Sequence, residues 1–227
     1  MKVRLCPKYL SHGAGVNSTA LMLLLLDEGV EFESVFVDTG CEWPETYKYL
    51  RLLQEEGYEI TWIQPEVSGA RTLYEYMAKY GTIPHWKRRF CTAKWKRTPF
   101  DRYVERPCTT YIGYDITERR RRLRDRKTIH FEYPLRERMI TRQGCVKIIR
   151  DHGLPVPPKS GCWLCPFQPL SKWKCLRDTY PTLFKRAMAL EDMNKHGFTF
   201  RRGMRLSSIH QDTTLDEWLP ALVTIAE

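Results

Sequence analysis

The alternation of apolar and polar stretches predicts a parallel α/β sheet in the first half of the chain. Short apolar runs at residues 2–6, 32–37 and 58–63 have the length of buried strands. Between them, residues 19–29 and 44–57 have helical spacing and stop at glycines, which are common just beyond a helix end. Strands that alternate with helices in this way form a twisted parallel sheet with right-handed crossovers.

The second half is predicted to add one more strand and then to become helical. Residues 108–113 have strand character, and a short segment at 130–133 follows. Helices are predicted at 72–81, 93–104, 142–153, on both sides of Pro181 and at 216–222. We therefore expect an α/β core over residues 1–135 and a smaller, helical, cysteine-containing part over residues 136–227.

The loop between the first strand and the first helix has the chemistry of a phosphate-binding turn. Gly13 and Gly15 permit positive φ and a close approach of the backbone to a ligand. Backbone N–H groups at a helix N-terminus attract anions. The loop matches neither a Walker A motif nor a dinucleotide fingerprint, and an ordinary glycine-rich turn is the plain alternative. The candidate ligand-binding residues are Ser11, His12, Gly13, Ala14, Gly15, Asn17, Ser18 and Thr19.

Composition adds a charge argument to this picture. The 227 residues carry a formal net charge of +10, which favours a polyanionic partner such as a nucleotide, a nucleic acid or both. No apolar run approaches the roughly 20 residues that span a bilayer, and the N-terminus lacks a signal-peptide pattern. We expect a cytoplasmic protein.

Four further segments occur in an order that resembles a known family. They are FVDTGCEWPETY (36–47), RRFCTAKWKRTPF (88–100), IGYDITERRRR (112–122) and KSGCWLCPF (159–167). Together with the loop, they resemble the PP-loop ATP pyrophosphatases and the phosphoadenosine phosphosulfate (PAPS) reductases, which have an adenine nucleotide alpha-hydrolase-like fold. The loop departs from the usual SGGxDS form at Asn17, where the common form has aspartate.

The resemblance implies an ATP-cleaving enzyme. ATP with Mg²⁺ would bind at the carboxyl edge of the sheet, and the α–β phosphate bond would be cut to activate an acceptor oxygen. Asp38 would contact the ribose or a metal ion, or would instead cap the following helix. The catalytic candidates are Ser11, Asn17, Ser18, Asp38, Lys94 and Arg119, and further nucleotide ligands are Thr39, Gly113 and Arg122, with Lys96 as another charge clamp. The rest of the arginine run at 119–126 would contact a larger polyanion or form a solvated face.

The cysteines suggest a metal centre. Cys162 and Cys165 form a C-x-x-C pair in a loop, and Cys91, Cys145 and Cys175 are further candidate ligands. Spacing alone leaves Zn²⁺, a [4Fe–4S] cluster and a redox pair open. The resemblance favours the iron–sulfur cluster.

Three functions follow from these observations. The first is an ATP pyrophosphatase that activates a nucleic acid for sulfur insertion, as in DNA phosphorothioation or tRNA thiolation, with a cysteine desulfurase or another sulfur donor as partner. The second is a PAPS or adenylyl-sulfate reductase, which uses a nucleophilic cysteine near its C-terminus, whereas the last cysteine here is Cys175. The third is a non-catalytic nucleic-acid-binding module whose phosphate loop is inactive.

Overall fold

Five parallel strands form the centre of the protein. The computed structural model describes residues 6–85, 89–118, 121, 123–125 and 128–209. The strand order is β3-β2-β1-β4-β5, and every neighbouring pair is parallel. The strands are β1 (Lys8–Ser11), β2 (Glu33–Val37), β3 (Thr61–Ile63), β4 (Cys108–Tyr111) and β5 (Ile129–Glu132). The predicted parallel α/β sheet is confirmed.

Helices cover both faces of the sheet. On one face, α1 (Val16–Asp27), α2 (Pro44–Glu55) and α6 (Arg142–Asp151) pack in a core that includes Leu10 and Phe36. On the other face, Phe100 and Val104 pack against residues of β1, β2, β4 and β5. Phe100 lies in α4 (Thr98–Tyr103), which follows a π-helix at Thr92–Arg97. The chain also forms α3 (Leu73–Tyr80) and the short α5 (Pro134–Glu137).

The first strand differs from its predicted position. β1 begins at Lys8, where Tyr9 and Leu10 are buried on opposite faces, and the predicted strand at 2–6 includes residues 2–5, which lie outside the described ranges. β2, α2 and α6 begin and end within a few residues of their predicted bounds. The predicted helix at 216–222 also lies outside the described residues.

The chain divides into two compact units. The first contains residues 1–76 and 89–163, and the second contains residues 77–88 and 164–227. This grouping differs from the predicted division at residue 135, because α6 buries Cys145 and Ile149 in the same core as α1.

In the second unit, α7 (Leu170–Thr179) and α8 (Pro181–Asp192) form a helical pair on either side of Pro181, as the sequence predicts. The buried carboxylate of Glu191 accepts the backbone N–H groups of Phe200 (2.8 Å) and Leu206 (2.7 Å). This contact fixes the chain that follows α8. Among the described residues, none of the helices combines the length and the hydropathy that crossing a lipid bilayer requires.

Candidate functional site

A pocket of about 840 Å³ opens at the carboxyl ends of β1, β2 and β4 in the first unit. β1 is the central strand, and the chain continues from it to β2 on one side, while β4 pairs with its other side. In open α/β sheets such a switch point leaves a crevice between the loops that follow the two strands, and ligands bind there. The phosphate loop after β1 and residues 112–114 after β4 line this pocket.

The phosphate loop is closed on itself by Ser18. The backbone N–H groups of Gly13 and Gly15 both donate to Ser18 Oγ at 3.2 Å, and this hydroxyl donates to the carbonyl oxygen of Gly15 (3.1 Å). These two N–H groups therefore face a hydroxyl oxygen at the N-terminus of α1, where backbone amides attract anions.

The glycines of the loop have a different role from the predicted one. Ala14 is the loop residue with positive φ (52°), and neither Gly13 nor Gly15 adopts it. Gly15 instead provides space, because a Cβ there would lie 2.7 Å from Ser160 Oγ. Lys159 and Ser160 thereby pack close to the loop and line the pocket.

His12 lies in the pocket wall as a buried imidazole. The residue is 3% exposed, and neither ring nitrogen has a hydrogen-bond partner among the described residues. Burial lowers the pKa of His12 to about 4, so the ring is neutral at physiological pH. A neutral imidazole has one donor and one acceptor nitrogen, and both are buried here without a partner among the described residues.

Asn17 connects three segments at the mouth of the pocket. Its Nδ2 donates to Asp115 Oδ2 (3.0 Å) and Glu118 Oε2 (3.2 Å), and its Oδ1 accepts from Arg142 Nη1 (3.2 Å). Burial alone would raise the pKa of Asp115, but the hydrogen bonds from Thr117 and Asn17 outweigh it and hold that pKa below its usual value. The carboxylate therefore stays ionised beside the amide.

The pocket has an apolar wall and a cationic rim. The apolar residues in its lining are Val16, Val35, Phe36, Val37, Phe100, Ile112, Leu123 and Phe131. The cationic side chains are Lys96, Arg97, Arg121, Arg142 and Lys159, against the carboxylates of Asp101 and Glu118. The lining therefore combines apolar surface with several cationic groups that can bind anionic groups of a ligand.

Asp38 is buried beside the pocket rather than in its lining. Its Oδ1 accepts from Gly40 N (2.8 Å) and from the Tyr47 hydroxyl (2.7 Å). Burial, followed by this bond to Asp38, raises the pKa of Tyr47. Trp43, and not Asp38, is the residue that precedes the first turn of α2, so the capping alternative is wrong. Thr39 is also buried, and its hydroxyl donates to Glu42 (3.1 Å).

The lysines of the 88–100 segment have separate positions. Lys94 Nζ donates to the Tyr76 hydroxyl (2.8 Å), and Lys94 is absent from the pocket lining. Lys96 lines the pocket and pairs with Glu42 Oε1 at 2.8 Å. The Lys96 side chain is 44% exposed; its partial burial opposes the charge, but the Glu42 carboxylate raises the pKa of this ammonium. Arg119 and Arg122 lie outside the described residues.

The five candidate metal ligands are distributed over different environments. Cys145 is completely buried in the apolar core of the first unit, and burial raises its pKa to about 12, which opposes the thiolate that a metal requires. Cys91, Cys162 and Cys165 are partly buried, and Cys175 is exposed. In the ranges that the structure covers, no three His, Cys, Asp or Glu side chains are grouped as metal ligands. This arrangement does not fit a four-cysteine centre that includes Cys145.

Several pocket residues have no strong signal in the sequence. Arg142 lies at the start of a helix whose spacing indicates only a buried face, and Lys159 and Ser160 precede a C-x-x-C pair that dominates the interpretation of that loop. Glu118 and Arg121 are part of a dense charge run, where spacing does not tell which side chain faces the ligand.

The model of the phosphoadenosine phosphosulfate reductase domain matches residues 8–157, which include β1, the phosphate loop, β4 and α6. The chain belongs to this family. Every member of the Asn17 network lies inside the PAPS reductase domain. Membership supports an enzyme that uses a nucleotide.

Two individual proteins are similar to this member of the PAPS reductase family. The uncharacterized nin region protein ORF290 of Escherichia phage lambda is 29% identical over 141 residues, and the match covers 48% of that protein. The chain therefore spans about half the length of this relative. The crystal structure of PAPS reductase from Candida auris in a phosphate complex matches with a TM-score of 0.54 and 17% identity, over 71% of this chain and 83% of that one. At this identity the match shows the fold alone.

Proposed function

We propose that the protein is an ATP pyrophosphatase that activates an acceptor, by our inference a nucleic acid, for sulfur insertion. The observation that carries the proposal is a phosphate loop at the mouth of a pocket with an apolar wall and a cationic rim. An adenine nucleotide has the matching division into a flat base and an anionic chain. The hydrogen bonds of Asn17 to Asp115, Glu118 and Arg142 order the start of α1 beside this pocket.

The chain's own residues supply binding and charge stabilisation. The N–H groups of Gly13 and Gly15 would transfer from Ser18 Oγ to a phosphate oxygen, and Ser18 would then donate to the ligand. Lys159 would neutralise charge that develops as the acceptor oxygen attacks the α-phosphorus and the α–β P–O bond breaks. Pyrophosphate leaves, and a sulfur nucleophile would later displace AMP from the activated acceptor.

Mg²⁺ would enter with the nucleotide. It keeps several waters and takes most of its other ligands from phosphates, so one or two protein carboxylates are sufficient. Glu118 and Asp101, which line the pocket, are of the right type for this role. A [4Fe–4S] cluster or Zn²⁺ stays a prediction of the cysteine pattern, and no step of the proposal uses it.

The test is to incubate the full chain with ATP and Mg²⁺ and to measure pyrophosphate, AMP, ADP and phosphate, with DNA, tRNA or neither, and with or without a sulfide donor. We expect Mg²⁺-dependent release of pyrophosphate that an acceptor nucleic acid increases. Ser18→Ala should reduce the rate by about tenfold or more, because a hydrogen-bond donor to the phosphates is lost. Ser207→Ala, an exposed serine of the second unit, is the matched control. Release of ADP and phosphate, or no ATP binding, would contradict the proposal.

Sulfonucleotide reduction is the second candidate, and the family match favours it. PAPS is also an adenine nucleotide with several phosphate groups and fits the same division of the pocket. The same preparation should therefore be given PAPS and a dithiol reductant. Formation of sulfite and adenosine 3′,5′-bisphosphate, with no pyrophosphate from ATP, would replace the first proposal by this one.

A further inference from the structure

The side-chain amide of Asn17 occupies a position that an aspartate cannot fill in the same way. Asn17 is 8% exposed and is the second residue of α1. One end of its amide faces the two carboxylates of Asp115 and Glu118, and the other end faces the guanidinium of Arg142. Only a group with both donors and an acceptor satisfies these three partners, and a carboxylate accepts only.

The partners fix the orientation of this amide. Exchanging its oxygen and nitrogen would place the NH₂ group against Arg142 and the oxygen against two carboxylates, so all three hydrogen bonds would be lost. Asp115 is itself held in place, since its Oδ1 accepts from the backbone N–H of Thr117 (2.8 Å) and from the Thr117 hydroxyl (2.5 Å). Arg121 Nη1 holds Glu118 Oε1 at 2.6 Å. The amide therefore lies in a rigid frame.

Arg142 is the exposed end of this frame. It lines the pocket from the first turn of α6, and its contact with Asn17 Oδ1 is its only hydrogen bond among the described residues. The oxygen of an amide is neutral, so it orients the guanidinium without cancelling its charge. The remaining N–H groups of Arg142 keep the fork geometry that binds two phosphate oxygens.

An aspartate at position 17 would change both sides of this arrangement. It would form an ion pair with Arg142 and thereby neutralise the charge that a phosphate needs. It would also place a third carboxylate beside Asp115 and Glu118, which repels an anionic ligand.

We propose that Asn17 is a positioning residue that must be an amide, and that it holds Arg142 as a phosphate-binding side chain of the nucleotide pocket. This inference rests on the proposed nucleotide function. In this chain, the asparagine is matched to Asp115, Glu118 and Arg142. It is not a sign of a decayed loop.

The experiment measures ATP affinity by calorimetry, and thermal stability, for full-length N17D, N17A, R142A and N17A/R142A. Asn194, the only other asparagine of the sequence, is the matched control because it is also 8% exposed. Its Nδ2 donates to Phe198 O (2.7 Å), and its Oδ1 accepts from His196 N (3.1 Å). N194A should lower the melting temperature and leave the ATP dissociation constant unchanged. R142A removes an exposed side chain, so this variant should fold.

We expect N17A and R142A each to weaken ATP binding by about tenfold. The ATP affinity of R142A should also depend less on salt concentration than that of the wild type, because a positive charge is lost. The double variant should bind no more than about twofold worse than R142A, because both changes remove the same contact. N17D, which restores the common family residue, should bind at least as poorly as N17A. The inference is overturned if N17D binds ATP as tightly as the wild type, or if the effects of N17A and R142A are independent. If the wild type itself binds no adenine nucleotide, the proposed function fails as well.

Discussion

His12 is a buried polar side chain whose ring lacks a hydrogen-bond partner among the described residues. Its two ring nitrogens lie in the pocket wall without partners among the described residues. A buried polar atom that lacks a hydrogen bond costs about 1–3 kcal/mol. Such a cost is consistent with a group whose partner arrives with the substrate.

Replacing His12 by leucine should therefore separate stability from binding. We expect the free energy of unfolding of ligand-free His12→Leu at pH 7 to rise by about 1–2 kcal/mol, and ATP binding to weaken by about tenfold. Chemical denaturation and calorimetry measure the two quantities. His130→Leu is the control, since the His130 side chain is 60% exposed and is absent from the pocket lining. Equal ATP affinity in wild type and His12→Leu would show that the imidazole does not contact the ligand.

The same histidine should give the protein a measurable pH dependence. Burial lowers the pKa of His12 to about 4, whereas the unfolded chain has a value near 6.5. Between about pH 6.5 and pH 4, the unfolded state therefore binds a proton at His12, whereas the folded state does not. The associated stability is present above about pH 6.5 and is lost as the pH falls towards 4. When the pH is lowered from 7 to 4, the free energy of unfolding of the wild type should fall by up to roughly 3 kcal/mol more than that of His12→Leu. Parallel denaturation curves for the two proteins at both pH values would contradict this.

At the scale of elements, the site depends on the contact between the loop after β4 and the first turn of α1. Gly113 is the close point of this contact. A Cβ at Gly113 would lie 3.0 Å from the backbone nitrogen of Ser18 and 3.1 Å from the carbonyl carbon of Asn17. Because these are backbone atoms of a buried helix, they cannot move without moving the phosphate loop.

Gly113→Ala should consequently lower the free energy of unfolding by about 1–3 kcal/mol and weaken ATP binding together with it. Gly13→Ala is the steric control for stability, because its Cβ would meet Ser18 Oγ at 3.8 Å, an ordinary contact, and Gly13 has no positive φ. Denaturant melts and ATP titrations of both variants test this. If Gly113→Ala were as stable as the wild type, the loop and α1 would be less tightly coupled than the structure indicates.

At the scale of the whole molecule, the charge is unevenly distributed along the sequence. Residues 164–209 contain nine lysines and arginines against three acidic residues, whereas residues 210–227 contain four acidic residues and no lysine or arginine. Lys185 and Arg186 are exposed on α8 in the basic segment. Positive charge of this density favours the phosphate backbone of a nucleic acid.

We expect binding of a DNA or tRNA oligonucleotide to weaken by at least about tenfold between 50 and 200 mM salt, because bound counterions are released on association. The charge reversal K185E/R186E should weaken this binding further and should leave ATP affinity unchanged. The matched reversal K48E/R51E, on exposed positions of α2, should have a smaller effect. Fluorescence anisotropy gives both comparisons. Binding that is insensitive to salt and to K185E/R186E would rule out an electrostatic nucleic-acid surface in this segment.

The sequence by itself determined the parts of this protein that depend on neighbouring residues. The apolar runs and their spacing located β2, α2, α6 and the phosphate loop between β1 and α1, because helix and strand periodicity is a local property. The ordered motifs also indicated the family, and the domain match confirmed it. Asn17 and Ser18 were predicted as site residues from the loop together with the ordered motifs that follow it.

The tertiary structure decided which distant side chains complete the site. Arg142 reaches Asn17 across 125 positions of sequence, and Asp115 reaches it across 98, so no local pattern could pair them. Cys145 had the residue type of a metal ligand, but the packing of α6 on α1 buried it in an apolar core. The sequence suggested backbone freedom for Gly15 and ligand contact for Gly113. In the structure, both positions lack room for a Cβ atom because neighbouring residues pack closely against them. Such roles depend on what lies beside a residue in space, which is fixed only when the sheet brings the loops after β1 and β4 together.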